Sequence, residues 1–455
     1  MISFLSITQA GMYGVWYTKD MSDEVTTNRE PVRILHVFGR LDLGGAETRT
    51  IDLLRAIDRT QVQFDFLVHT QDAGYYDRTV EALGARIFHV PRFRGHNRAS
   101  YEKALRLFFS KHRGMWRMVH GHMTSTAAIY LPIAREYGGC VTIAHARSAG
   151  VDKGPKGWYT KRLRLPLRQE ETVDFRFAVS REAAEAVFGS ELVDEGKVRI
   201  LPNAIDAASC RYDPAARLLL RTDLGIPSDA RVIGHVGRFH PAKNHAYLIR
   251  VFAYLVRDVS DGTGEGSGMS DTGRAPYYLL LIGDGPLLAE MRALVRAEGI
   301  EDRVIFAGKK TPVAPYFSVI DLLFFPSLYE GFPGTVLEAQ AAGLPCLVSD
   351  TVTGETGLTE LVRFFDTGGD VADTAGILRG MMAQAPVLGP VGTGSAPGAD
   401  PDSMSVEDPD GTQRESVTDD ARIRTSAQAI RTICDAGYDV RQQAREMEGI
   451  YLDMR

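Results

Sequence analysis

The stretch FFPSLYEGFPGTVLEAQAAGLPCLVSD, residues 324–350, decides the architecture. The apolar run Leu322, Leu323, Phe324, Phe325 stops at Pro326, the pattern of a strand buried on both faces of a parallel sheet. A polar loop carrying Glu330 among two glycines and a proline follows. A helix is predicted from Pro333 or Gly334, with Val336, Leu337 and Ala341 inward, ended by Gly343 and Pro345. A strand–loop–helix–strand unit aims backbone N–H groups and a positive dipole end at the crevice above its sheet, where an anion is held. Glu330 and Glu338 bracket that place, and carboxylates there suit neutral hydroxyls rather than phosphate. A sugar nucleotide carries both groups. Plainer readings stay open for each acid: Glu330 as a solvated loop residue, and Glu338 closing a T-x-x-E capping box with Thr335.

Outward from this stretch the chain alternates strand and helix with short loops, the mark of doubly wound parallel sheets. VRILHVFG reads as a buried strand running into RLDLGGAE, where adjacent Gly44 and Gly45 let a backbone approach a ligand closely. The pair is not G-x-G-x-x-G, which counts against a dinucleotide enzyme. Further strands are predicted at 64–69, 86–90, 117–121, 141–144 and 175–179. Two of them end in histidine: VHGHM gives His120 and His122, and TIAHARS gives His145 with Arg147 behind it. Carboxyl ends of parallel strands are where such sheets bind ligands. His120 and His122 share a strand face with no third ligand evident, so no metal site is expected. A second sheet restarts at RVIGHVGRFHPAKN, where Arg238 and Lys243 stand five residues apart in a turn before a helix from about Asn244. Arg forks onto phosphate oxygens and Lys adds a point charge, so the two suit a diphosphate. LLLIGDGP and VIFAGKK continue that sheet.

Together these motifs resemble the family-4 type retaining glycosyltransferases. The matching segments, in order, are GGAE, AHARS, VGRFHPAKN, IGDGP and the E-x7-E element EGFPGTVLE. The Phe-Pro-Gly form of the last is similar to the exopolysaccharide-biosynthesis subgroup. The resemblance implies two Rossmann-like domains facing a cleft, the GT-B fold. It divides the chain into a 1–30 extension, a 31–202 acceptor domain, a 203–436 nucleotide-sugar domain and a 437–455 terminal helix returning to the first domain. By resemblance Glu330, His145, Arg238 and Lys243 are the catalytic group. The donor contacts are Gly44, Gly45, Arg238, Lys243, Gly331, Phe332, Pro333, Gly334, Thr335 and Glu338. His122 and Arg147 lie on the acceptor side. The implied activity is metal-independent transfer of a hexose from a UDP- or GDP-sugar to a glycan or lipid-linked acceptor, with no further cofactor. A nucleotide-sugar epimerase of the same fold, or a non-catalytic partner subunit, is the alternative.

Composition bounds this reading. The 455 residues exceed one core and suit two domains. No run reaches the ~18 apolar residues of a membrane span, and the first twenty residues lack a basic signal-peptide start. Four scattered cysteines without C-x-x-C spacing point to reduced thiols, hence a cytoplasmic protein. The net charge of −6 is uneven: segments 1–30, 258–275 and 386–420 carry −2, −3 and −7, leaving +6 on the rest. The last two are rich in Gly, Ser and Asp and read as flexible insertions. In 153–168, six cations flank Trp158 and Tyr159, which suits either an anionic membrane surface or a solvated helix face. The remaining charge is too dilute to indicate nucleic acid.

Overall fold

The apolar runs pair as parallel strands because each is buried on both faces and is followed by a helix long enough to cross back. The computed structural model describes residues 30–148, 150, 154–260, 275–330, 332–384 and 414–454, with backbone alone at 258–260 and 414–418. One sheet holds β1 (Val32–Phe38), β2 (Val62–Val68), β3 (Ile87–His89), β4 (Met118–Gly121), β5 (Val141–Ala146), β6 (Phe175–Ala178) and β7 (Arg199–Ile200). Its order is β3-β2-β1-β4-β5-β6-β7. The other holds β8 (Arg231–Val236), β9 (Tyr277–Ile282), β10 (Val304–Gly308), β11 (Leu322–Phe325), β12 (Cys346–Ser349) and β13 (Val362–Phe365), in the order β10-β9-β8-β11-β12-β13. All of these pairings are parallel. These are two doubly wound Rossmann-like sheets. Each order reverses once, at β1/β4 and at β8/β11, and such reversals open the crevices where α/β sheets bind ligands.

Each sheet is sandwiched between apolar clusters on its two faces. Every residue of β2, β11 and β12 is buried. The charged residue inside β2 is Asp65, fully buried and held by Arg33, Arg86 and the indole N–H of Trp116. Burial would push its carboxyl up, but these donors hold it down at about 2.

The two halves are joined by crossing segments. Ile205 pairs with Asp439 in an isolated parallel bridge, its N–H bonded to the Tyr438 carbonyl while the Val440 N–H returns to its own carbonyl. Asp439 then caps the helix Val440–Asp453, which packs on the helix Gly45–Ala56 and sends Met447, Ile450 and Tyr451 into the first sheet's core.

Some sequence expectations need correcting. The helix His245–Ser260 runs through 258–260, and the helix Arg414–Asp435 covers 414–420, so these margins of the two predicted insertions are helical rather than flexible. Segments 261–274 and 385–413, the stretch 151–153 and the extension 1–29 lie outside the described residues. Among the described residues no helix is long and apolar enough to cross a membrane.

Candidate active site

On the second sheet the site is built where β8 and β11 end. Past β8 the chain turns through Gly237 and Arg238 into a short turn, Pro241–Lys243. Asn244 takes the left-handed conformation at φ 54° and starts the helix at the next residue. The neighbouring IGDGP turn presses directly on this one: a Cβ on Gly283 would lie 2.0 Å from the Gly237 carbonyl oxygen. Only glycine allows so close a backbone approach. Arg238 is left exposed, while Lys243 folds back over the Phe325 ring at 4.5 Å. Its Nζ donates to Glu330 Oε1 at 2.6 Å, with each side chain only 18% exposed. Lys243 and Glu330 were expected to have separate tasks; the fold joins them in one ion pair.

The loop after β11 is tied to the Lys243 turn by the Leu328 N–H on the Ala242 carbonyl at 2.8 Å. The helix Gly334–Ala341 then begins as predicted, but the capping box does not form. Pro333 is the cap residue, without a side-chain bond, and Thr335 already lies inside the helix. Glu338 instead meets the Arg49 guanidinium of the helix Gly45–Ala56 in a short hydrogen-bonded ion pair between the halves. Arg49 also touches Asp52 at 3.2 Å. Burial alone would lower its pKa; Glu338 and Asp52 outweigh burial and raise it. Gly334 faces the same guanidinium, which a Cβ would meet at 3.0 Å. Phe332 turns its ring inward onto Tyr438, centroids 5.0 Å apart and nearly parallel, leaving its main chain for the cleft. Gly331 lies outside the described residues.

On the first sheet, Gly44 caps the helix Gly45–Ala56 at the end of the β1 loop. Beside it four imidazoles gather over β1, β4 and β5: His36, His120, His122 and His145. His120 Nε2 lies 3.0 Å from His145 Nδ1, and His120 Nδ1 lies 2.7 Å from the Tyr451 hydroxyl. His36 Nδ1 lies 2.9 Å from His122 Nε2. Arg147 approaches His145 Nε2 at 3.4 Å, the Ala46 carbonyl at 3.1 Å and Thr50 Oγ1 at 3.4 Å. Burial, then neighbouring positive charge, pushes these imidazoles well below the ordinary histidine value, His36 to about 3.

The sequence offered no third partner for His120 and His122. The fold supplies one, since ligand atoms of His36, His120 and His122 all lie within 4.8 Å of one another. Their rings lie 8° to 28° from parallel, and His36 and His122 spend facing nitrogens on each other. Joint ligation would require the rings to rotate and the His36–His122 hydrogen bond to break. Sequence reasoning also passed over Arg49 and Tyr451. His36 left one signal, a lone histidine inside an apolar strand. Arg49 left none, because its partner is 289 residues away.

Residues 43–209 match the family described as Glycosyltransferase Family 4, and residues 217–368 match Glycosyl transferases group 1. EpsF of Bacillus subtilis (strain 168), named as a glycosyltransferase, is 32% identical over 328 residues, 72% of this chain and 81% of EpsF. An Escherichia coli enzyme named UDP-Gal:alpha-D-GlcNAc-diphosphoundecaprenol alpha-1,3-galactosyltransferase is 28% identical over 35% of this chain and 37% of its own length. Among solved structures, Anabaena HepE in complex with UDP and glucose superposes with a TM-score of 0.65 at 16% identity, covering 93% of this chain and all of HepE. That likeness speaks for the fold. With two parallel Rossmann-like sheets, both halves matched and EpsF covered over most of its length, the chain belongs to the family-4 glycosyltransferases of GT-B fold.

Proposed function

We propose that the protein is a retaining, metal-independent hexosyltransferase that moves a sugar from a UDP- or GDP-sugar to a glycan or lipid-linked acceptor in cell-surface polysaccharide synthesis. The observation that carries this is the Lys243–Glu330 pair, with Glu338 one helix further on, at the reversal point of the second sheet. Arg238 and Lys243 are the cations that take the donor diphosphate and stabilise its departure, the task a metal performs elsewhere. Glu330 reads the sugar hydroxyls or offsets positive charge developing on the ring. Glu338, steadied by Arg49, holds the ribose, and Gly44, Gly45, Pro333, Gly334 and Thr335 line the approach. His145 meets the transferring sugar, and His122 and Arg147 face the acceptor. The Phe-Pro-Gly form of the E-x7-E element supports the exopolysaccharide setting, and the E. coli relative named above supports a lipid-linked acceptor.

The acceptor would be met at an anionic membrane surface by the helix Pro155–Arg164, where Trp158 is 64% exposed beside Arg162. The test is a transfer assay with UDP- and GDP-sugars in excess EDTA, with anomeric configuration read by NMR. Persisting activity with the donor's configuration kept is expected. Complete loss in EDTA, restored by Mn²⁺ or Mg²⁺, would remove the clamp account. Consumption of donor with no acceptor product would favour the epimerase.

A further inference from the structure

His69 and His235, both buried, have their protons fixed by the main chain. His69 donates through Nδ1 to the Phe38 carbonyl at 3.1 Å, and His235 through Nδ1 to the Phe324 carbonyl at 2.9 Å. A carbonyl only accepts, so each tautomer is settled on the spot. His145 has no such anchor. Its Nδ1 faces His120 Nε2 at 3.0 Å, and His120 Nδ1 faces the Tyr451 hydroxyl at 2.7 Å. An imidazole nitrogen donates or accepts, so the proton of His145 is placed from the ends of this chain rather than within it. All three side chains are buried, and burial, with neighbouring positive charge, keeps both imidazoles neutral with one proton each.

Arg147 stands at the outer end. Its Nη1 lies 3.4 Å from His145 Nε2, and a guanidinium carries donors only. Burial lowers its pKa no further than about 10, so it stays charged at neutral pH. His145 Nε2 therefore turns its lone pair outward. The His145 proton sits on Nδ1 and is shared with His120 Nε2, and the His120 proton sits on Nδ1 and is shared with the Tyr451 oxygen. The opposite register, with Tyr451 donating, would set an Nε2–H of His145 against the cation. Arg147 is a loose partner, 3.1–3.4 Å from each group it touches, half-buried and followed by the exposed Ser148. A substrate hydroxyl can take its place at Nε2, whereas the Tyr451 end is shut from solvent.

Tyr451 belongs to the helix Val440–Asp453, which follows the Ile205–Asp439 bridge and packs on the helix Gly45–Ala56. We infer that Tyr451, acting through His120, is a positioning residue for the transfer reaction: its oxygen holds both imidazole protons on Nδ1 and keeps His145 Nε2 as the acceptor for a hydroxyl of the transferring sugar. Without that oxygen the His120 Nδ1–H would be buried with no partner, which is costly. Both protons then move to Nε2, His120 donates to His145 Nδ1, and the loosely held Arg147 gives way. His145 would present a donor where an acceptor is needed. The terminal helix thus contributes to the chemistry of the site as well as covering the first sheet. The inference rests on the reading of His145 as the sugar contact; the proton positions do not.

The experiment is long-range proton–nitrogen NMR of the full chain with isotope-labelled histidine, beside a transfer assay. The His145 signals are those lost in His145→Gln. At neutral pH the wild-type protein is expected to hold the His145 and His120 protons on Nδ1. In Tyr451→Phe, which keeps the ring and deletes the oxygen, the His145 proton should move to Nε2. There kcat should fall about tenfold or more, while donor KM and the affinities for UDP and GDP stay within about twofold. In the His145→Gln protein, adding Tyr451→Phe should remove no further activity. A wild-type His145 protonated on Nε2 overturns the proposal, as does a Tyr451→Phe protein whose His145 proton stays on Nδ1. An undiminished effect of Tyr451→Phe in the His145→Gln background overturns it too, because Tyr451 would then act only by holding the helix. Should Tyr451→Phe fail to fold, His120→Phe breaks the same chain at its middle, with the same move of the His145 proton expected. Absence of transfer by the wild-type protein from any UDP- or GDP-sugar would count against the glycosyltransferase reading. The proton positions, read without substrate, would still uphold or overturn the chain from Tyr451 to His145.

Discussion

Glu330→Gln should tighten the binding of free nucleoside diphosphate while nearly abolishing transfer. Lys243 is held by Glu330 at 2.6 Å, both side chains 18% exposed. A hydrogen bond between charged groups contributes ~1.5–3 kcal/mol, and partial solvent screening reduces this pair to about 1 kcal/mol. A diphosphate that takes Lys243 must loosen that bond. Substituting glutamine removes the competing charge and keeps the shape, so affinity should rise about fivefold, the equivalent of about 1 kcal/mol. Lys243→Ala acts oppositely. It deletes a charged contact and leaves Glu330 facing the phosphates unpaired, for a loss of about 10- to 100-fold. The double variant should bind better than Lys243→Ala alone, since the exposed repulsion is gone. Calorimetry with UDP and GDP on all four proteins, beside a transfer assay, measures each term. A Glu330→Gln protein that loses diphosphate affinity tenfold or more would refute the reasoning, because Glu330 would then be building the phosphate site rather than competing for its lysine.

Two further expectations follow from buried charges. Arg49→Ala strips the counter-charge from Glu338 across the cleft, so it should raise donor KM about tenfold, and a cycle with Glu338→Gln should show coupling of ~1 kcal/mol or more; additive effects would mean the pair does not tie the halves together. Stability should fall as pH drops below 6.5, because unfolded histidines take up protons there while His36 and His69, lowered by burial to about 3 and about 4, do not. Asp65, held at about 2 against an ordinary 3.8, adds a second decline from about pH 4 toward 2. A melting temperature level from pH 7 to 5 would contradict the neutral buried imidazoles.

The fold and the position of the site were legible because they are written locally. Runs such as LLFF and VRILHVF, each closed by Gly or Pro, specify buried parallel strands, and the loops GGAE, GRFHPAK and EGFPG fall at their carboxyl ends wherever the sheets pack. Glu330, Lys243 and His145 were therefore placed at strand ends from sequence alone. The partners of those residues were not legible, since partnership depends on strand order. Lys243 meets Glu330 because β8 and β11 are neighbours across 87 residues, and His36 meets His122 because β1 lies against β4. Local spacing even misdirected one residue: Thr335-x-x-Glu338 has capping-box form, yet Pro333 holds the cap and Glu338 turns to Arg49. The chain's own pattern determined which residues reach the cleft. Only tertiary packing, which fixes the distance between groups far apart in sequence, decided which charges are paired there and which, like Arg147, have no carboxylate in ion-pair range among the described residues.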